Sequence, residues 1–220
     1  MALVLLASPA YAHPPPIGIG GFWGGLLHPY FVTAHGAAIV ALGLLIGQQG
    51  WGRGTPIAFI LALMAGLGLI WLAVVPRYVN EALLVLAAVS GLLLVLARPL
   101  PEPAGIALGA LSGIAVGLDS PPEVLSVREA NLMLIGTGLG ASLFVVLAIE
   151  GASKLTRPWQ RIGARVVGSW IAAAAVALAV DRGASSVALA STQAALGLYR
   201  RLGFTALGSF TYFIDPRLGP

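Results

Sequence analysis

The sequence predicts an all-α integral membrane protein: a bundle of six transmembrane helices after a signal peptide, followed by a short α/β-like carboxyl-terminal tail. Three observations predict it. Charged residues make up 9% of the chain, against roughly 25% in ordinary soluble domains. The hydrophobic fraction is 58% and the mean hydropathy is +0.94. Uncharged apolar stretches of about 20 residues, the length that crosses a bilayer as a helix, recur between turn signals.

Residues 1–12 read as the signal peptide. They hold a short apolar core and end in Ala10-Tyr11-Ala12, but lack a positively charged start, so the natural start is expected upstream. Cleavage after Ala12 would leave His13 at an external amino terminus, beside Pro14-Pro15-Pro16. There it reads first as a solvated residue and only second as a metal-catching one.

The membrane domain, residues 13–180, is expected to hold spans at about 29–48, 55–75, 79–97, 103–119, 130–150 and 163–180, each near the bilayer-crossing length. The separators are Gln49 to Gly54, Pro76 to Tyr78, Arg98 to Pro101, Asp119 to Glu123 and Lys154 to Arg165. Each carries the Gly, Pro or charge that ends helices. With the mature amino terminus outside, the cytoplasmic loops hold Arg53, Arg98, Lys154, Arg157, Arg161 and Arg165, whereas the external loops hold Arg77 and Arg128. The positive-inside rule and the signal peptide therefore give one orientation, in a bacterial inner membrane.

Gly109, Gly113 and Gly117 recur every four residues in the fourth span, and Gly136 and Gly140 repeat the spacing in the fifth. Small residues so placed let helix backbones approach closely in lipid. They read as packing stripes of a compact bundle, ahead of a pore lining.

Beyond about Val180 the chain becomes more polar. Residues 181–220 read as a short strand, a helix of about ten residues and a second strand near Thr205 to Ile214. Ala195, Leu198, Tyr199, Gly203 and Phe204 resemble the carboxyl-terminal helix of GNAT-family N-acetyltransferases, where the tyrosine lies near the acetyl-CoA thioester. The Gly-rich pyrophosphate turn of that family is absent here, so no acetyltransferase activity is expected; a gene fusion, a frameshift or chance likeness accounts for the tail.

Several functions are excluded by what the chain lacks. A net charge of +4 and a pI near 10.0 could suggest nucleic-acid binding, but the basic residues sit between apolar runs and form no clustered face. The chain has no cysteine, so disulfides, thiolate nucleophiles and sulfur metal sites are ruled out. It has no Gly-x-Ser-x-Gly elbow and no phosphate-binding loop, and Gly18-Ile19-Gly20-Gly21 follows no strand. No enzyme is expected.

The candidate chemistry lies in Leu27-His28-Pro29-Tyr30-Phe31-Val32-Thr33-Ala34-His35-Gly36, which holds two of the chain's three histidines inside the first span. An imidazole is costly in hydrocarbon and is a common metal ligand. In an unbroken helix His28 and His35 would share a face about 10 Å apart along the axis, too far to hold one ion. Either Pro29 starts the helix and leaves His28 on a bent entry segment, or the two form successive stations. Asp119 and Glu123 after the fourth span, Glu81 at the start of the third and Asn131 at the start of the fifth fall near the same external surface and could complete a metal site. Oxygen and nitrogen donors without sulfur suit Ni²⁺ or Co²⁺. Plainer readings stand beside these. His35 could be packing glue, Glu81 and Glu129 could complement helix dipoles, Asp119 could be a cap, and Glu150 could be an interfacial carboxylate beside Lys154.

Residues 22–180 resemble the HupE/UreJ family of hydrogenase- and urease-associated membrane proteins, regarded as nickel or cobalt permeases. The likeness rests on the signal sequence, six spans and a first-helix motif, His-Pro-x-x-Gly-x-Asp-His, in which His28, Pro29 and His35 match. Val32 stands for the motif glycine and Ala34 for the motif aspartate, and Gly117 to Glu123 is similar to a loop of a divergent branch. The resemblance implies no tightly bound cofactor, with Ni²⁺ or Co²⁺ as transported or bound ion. It implies the lipid bilayer, a divalent metal ion, and a second copy or hydrogenase/urease maturation proteins as partners. A non-transporting membrane scaffold is the alternative it leaves open.

Overall fold

The computed structural model describes residues 21–74, 76–122 and 126–182. The signal peptide, His13, Glu123 and the strand-helix-strand reading and acetyltransferase likeness of the tail lie outside them. The chain divides into two compact units, Met1–Val180 and Asp181–Pro220. All described structure is helical: α1 Gly21–Phe31, α2 Thr33–Gln49, α3 Gly54–Trp71, α4 Val79–Leu96, α5 Glu102–Leu118, α6 Val127–Ser153 and α7 Pro158–Arg182.

Four of these, α3, α4, α6 and the Pro158–Val180 part of α7, are long and apolar enough to cross a membrane, and the bent pair α1 and α2 makes a fifth span if taken together. The expected fourth span corresponds to α5, a shorter apolar helix of 17 residues. The last two helices are longer than the sequence suggested. α6 runs from Val127 to Ser153, and α7 begins at Pro158, inside the basic separator at Lys154 to Arg165, and runs to Arg182.

The first expected span, 29–48, is corrected more deeply. Pro29 does not start a helix; it lies inside α1, and the chain breaks three residues later at Val32, where α1 and α2 meet at 65°. Val32 is extended (φ −81°, ψ 111°), and its carbonyl accepts from Gly36 N–H at 3.0 Å to open α2. Proline removes one helical donor and crowds the preceding turn, which weakens α1 at this end.

Local sequence sets the other ends. Gly50 is left-handed (φ 66°) and its N–H closes α2 on Ile46 O. Pro103 stands in the first turn of α5, where its missing N–H costs nothing. Ser126 caps α6, its Oγ accepting from Glu129 N–H at 3.2 Å.

Glycine seams join the helices. In α5, a Cβ on Gly109 would lie 2.8 Å from Thr55 O and one on Gly117 2.6 Å from Leu63 O, while at Gly113 it would overlap Phe59 O. The stripe read as packing is thus pressed on the backbone of α3. Gly136 and Gly140 of α6 take the backbone of Phe22, Gly25 and Leu26 in α1 in the same way, and Gly43 and Gly47 of α2 meet Ala148 and Ala152 of α6. Because the paired numbers rise together, α3 with α5 and both α1 and α2 with α6 are parallel pairs. Leu42, Leu45, Phe59, Leu83 and Leu94 are fully buried between the helices. Leu61, Val85, Leu92, Leu111 and Leu143 are exposed, as a lipid-facing surface requires.

At the far end of α2, Gln49 donates through Nε2 to Arg98 O at 2.8 Å and accepts from Leu100 N–H at 3.1 Å. Trp51 Nε1 donates to Leu100 O at 3.1 Å. These bonds tie the α2–α3 turn to the α4–α5 turn.

Candidate metal site

Four helix ends meet around the histidines. His28 stands in the last turn of α1, His35 in the first turn of α2, Asn80 in the first turn of α4, and Asp119 is the carboxyl-terminal cap of α5. The break at Val32 folds the two imidazoles together, with ring centroids 5.1 Å apart and planes crossing at 72°. Of the two arrangements left open by the sequence, a bend between the histidines is the one observed, although it falls at Val32 and not at Pro29.

His35 is 0% exposed and its Nε2 lies 3.1 Å from Asp119 Oδ2. An ionised carboxylate only accepts, so Nε2 carries the proton and donates it; in the neutral ring Nδ1 is left with a bare lone pair. Asn80 Nδ2 donates to the same Oδ2 at 2.9 Å, which fixes the carboxylate from its other side. The carboxylate is also close to the amino-terminal end of α4, where the helix dipole favours negative charge.

Three polar atoms of this cluster, His28 Nε2, His35 Nδ1 and Asn80 Oδ1, are buried without a protein partner. Each such group costs about 1–3 kcal/mol relative to a satisfied one. The two imidazole nitrogens are donors of the type that suits a borderline divalent cation. Among the described residues, no three His, Asp or Glu side chains are grouped to hold an ion by themselves. The cluster instead has two imidazoles, with the single carboxylate behind one of them.

The other expected donors stand apart. Glu81 occupies the first turn of α4 but bonds to no described side chain of the cluster. Asn131 Oδ1 accepts from Trp71 Nε1 at 3.2 Å instead. Glu129 is in the first turn of α6, Glu150 is exposed, and Glu123 lies outside the described residues. Asn80 escaped the sequence reading because a neutral polar residue at a helix start resembles an ordinary end signal. The available hint was its position beside Glu81, one helical step, about 100°, around α4.

The motif departures acquire a geometry. Val32, at the glycine position, is the break itself, and Ala34, at the aspartate position, is buried in the core. The carboxylate next to His35 comes from α5, 84 positions along the chain.

The sequence model of a known family, described as HupE / UreJ protein, matches residues 1–178. No curated protein and no solved structure matches the chain. Nothing in these comparisons supports the acetyltransferase likeness of the tail.

Proposed function

The chain belongs to the HupE/UreJ family, membrane accessory proteins tied to nickel and cobalt transport, and we propose that this member binds and imports divalent nickel or cobalt across the bacterial inner membrane through His28 and His35. The observation that carries the reading is the buried imidazole pair at a broken membrane helix, with one buried, unpartnered nitrogen on each ring. Broken helices at membrane depth are where transporters place ion sites, because the interruption frees polar groups that a continuous helix would spend on itself.

With the mature amino terminus outside, the pair lies toward the external face, where the ion would arrive. The membrane potential then favours cation entry by about 2.3 kcal/mol per charge per 100 mV, which needs no coupled hydrolysis. The ion is the cargo. His28 and His35 supply the nitrogen donors, and Asn80 bonds to the carboxylate behind His35.

Accumulation of radiolabelled nickel, and then cobalt, in cells expressing the full chain tests this beside His28→Ala and His35→Ala at matched membrane levels. Loss of uptake in both variants supports the reading, and equal uptake in all three rejects it. A second reading, a non-transporting accessory protein, draws on the absence of a third His, Asp or Glu ligand among the described residues. It predicts no uptake of either metal and a stable maturation partner in a detergent pull-down.

A further inference from the structure

We propose that Asp119 and Asn80 form a positioning pair for His35. The Asp119 carboxylate, oriented by the Asn80 amide, holds His35 as the Nε2–H tautomer and so leaves Nδ1, not Nε2, to take the ion. The inference rests on the metal reading above and adds which atom of His35 binds and which residues select it.

Nε2 of His35 is already engaged at 3.1 Å by a group that only accepts, whereas Nδ1 is buried and unpartnered. A free imidazole exchanges its proton between the two nitrogens, and the wrong tautomer would present a proton where a lone pair is needed. A carboxylate on the far nitrogen removes that ambiguity and raises the basicity of the ligating one. The carboxylate must itself be held. Asp119 caps α5 on a backbone that packs on α3, and Asn80 reaches it from α4 at 2.9 Å, so three helices fix one proton. The arrangement also explains the lack of a three-ligand group: the carboxylate acts through the imidazole.

Both protein bonds fall on the same oxygen, Oδ2. Asp119→Asn can therefore keep both with its single amide oxygen while losing the charge, whereas Asp119→Leu loses both bonds. Asn80→Leu leaves the carboxylate charge but frees its orientation.

The test is ring-nitrogen NMR of the full chain in detergent without metal, labelled at histidine, at about pH 8, above the ordinary imidazole range. The chain has three histidines, and His28→Ala and His35→Ala assign them. His35 is expected to show a protonated Nε2 and a bare Nδ1 in the natural chain and in Asp119→Asn, and a mixture of tautomers in Asp119→Leu. Equilibrium dialysis with nickel should show affinity falling about 10–100-fold in Asp119→Leu and by a smaller factor in Asn80→Leu. A bare Nε2 on His35 in the natural chain overturns the proposal, and that measurement needs no variant to fold. An unchanged tautomer in folded Asp119→Leu overturns it too. If nickel and cobalt both fail to bind although the tautomer is as stated, the metal reading has failed and takes the proposal with it. If His35-dependent binding persists with the opposite tautomer, the metal reading stands and this one falls.

Discussion

The ring of His28 crosses the ring of His35 with centroids 5.1 Å apart, although the two residues belong to different helices that meet at 65°. This contact exists because α1 lies on α6 and not in line with α2. Whatever holds α1 on α6 therefore holds the imidazole pair together.

The pair should give a metal-dependent gain in stability. For the natural chain, nickel at 100 times its dissociation constant is expected to stabilise the fold by about 2.7 kcal/mol. His28→Ala should abolish that gain while leaving the metal-free melting temperature little changed. Differential scanning fluorimetry in detergent, with and without nickel, reads both quantities.

Tyr30 is the clamp nearest to His28. Its ring stacks on Phe144 at 4.4 Å and 17°, and its hydroxyl donates to Gly140 O at 3.4 Å. Tyr30→Phe keeps the stack and should be nearly silent. Tyr30→Ala loses the aromatic pair, about 0.5–1.5 kcal/mol beyond its buried area, and should weaken nickel binding because α1 loosens on α6. Isothermal titration of both variants would reveal the contrast, and equal affinities would show that the clamp is unimportant.

The glycine seam should resist the smallest possible addition. A methyl at Gly113 would overlap the Phe59 carbonyl, so Gly113→Ala is expected to cost about 1–3 kcal/mol through backbone displacement. Nothing stands within 4 Å of a Cβ at Gly151, so Gly151→Ala should be neutral or slightly stabilising. Unfolding of both variants in mixed micelles measures the difference.

Gln49 should matter for stability alone. Gln49→Ala removes two hydrogen bonds between the α2–α3 and α4–α5 turns, worth about 0.5–1.5 kcal/mol each. Its melting temperature should fall while the nickel dissociation constant stays the same, since the change lies at the other end of α2. A shift in affinity would mean that the two ends are coupled.

Much of the helical plan was legible in the residues. Hydrophobic length located α3 and α4 to within a few positions, and the four-residue glycine spacing identified the faces of α5 and α6 that bear on backbone. Asp119 was picked out beside the histidines by loop position, and it lies against His35. The break itself was not legible at its true place. Proline attracted attention to residue 29, but the turn falls at Val32, because tertiary packing of α1 on α6 decides where a weakened helix parts. Glu81 drew notice by its charge, whereas Asn80 reaches the carboxylate. Which of two adjacent residues faces inward depends on the rotation of α4, and an almost uniformly apolar helix carries little periodic signal to set that rotation.

The parallel pairing of α1 and α2 with α6 also orders events during biosynthesis. Parallel helices cannot be chain neighbours, so the first span enters the bilayer and waits there until the ribosome has delivered α6. A nascent chain ending just after Asp119 already contains His28, His35, Asn80 and Asp119, yet lacks the surface on which α1 is seated. The paired-histidine arrangement is thus a late product of assembly, and a stalled or clipped chain would carry its side chains without their geometry.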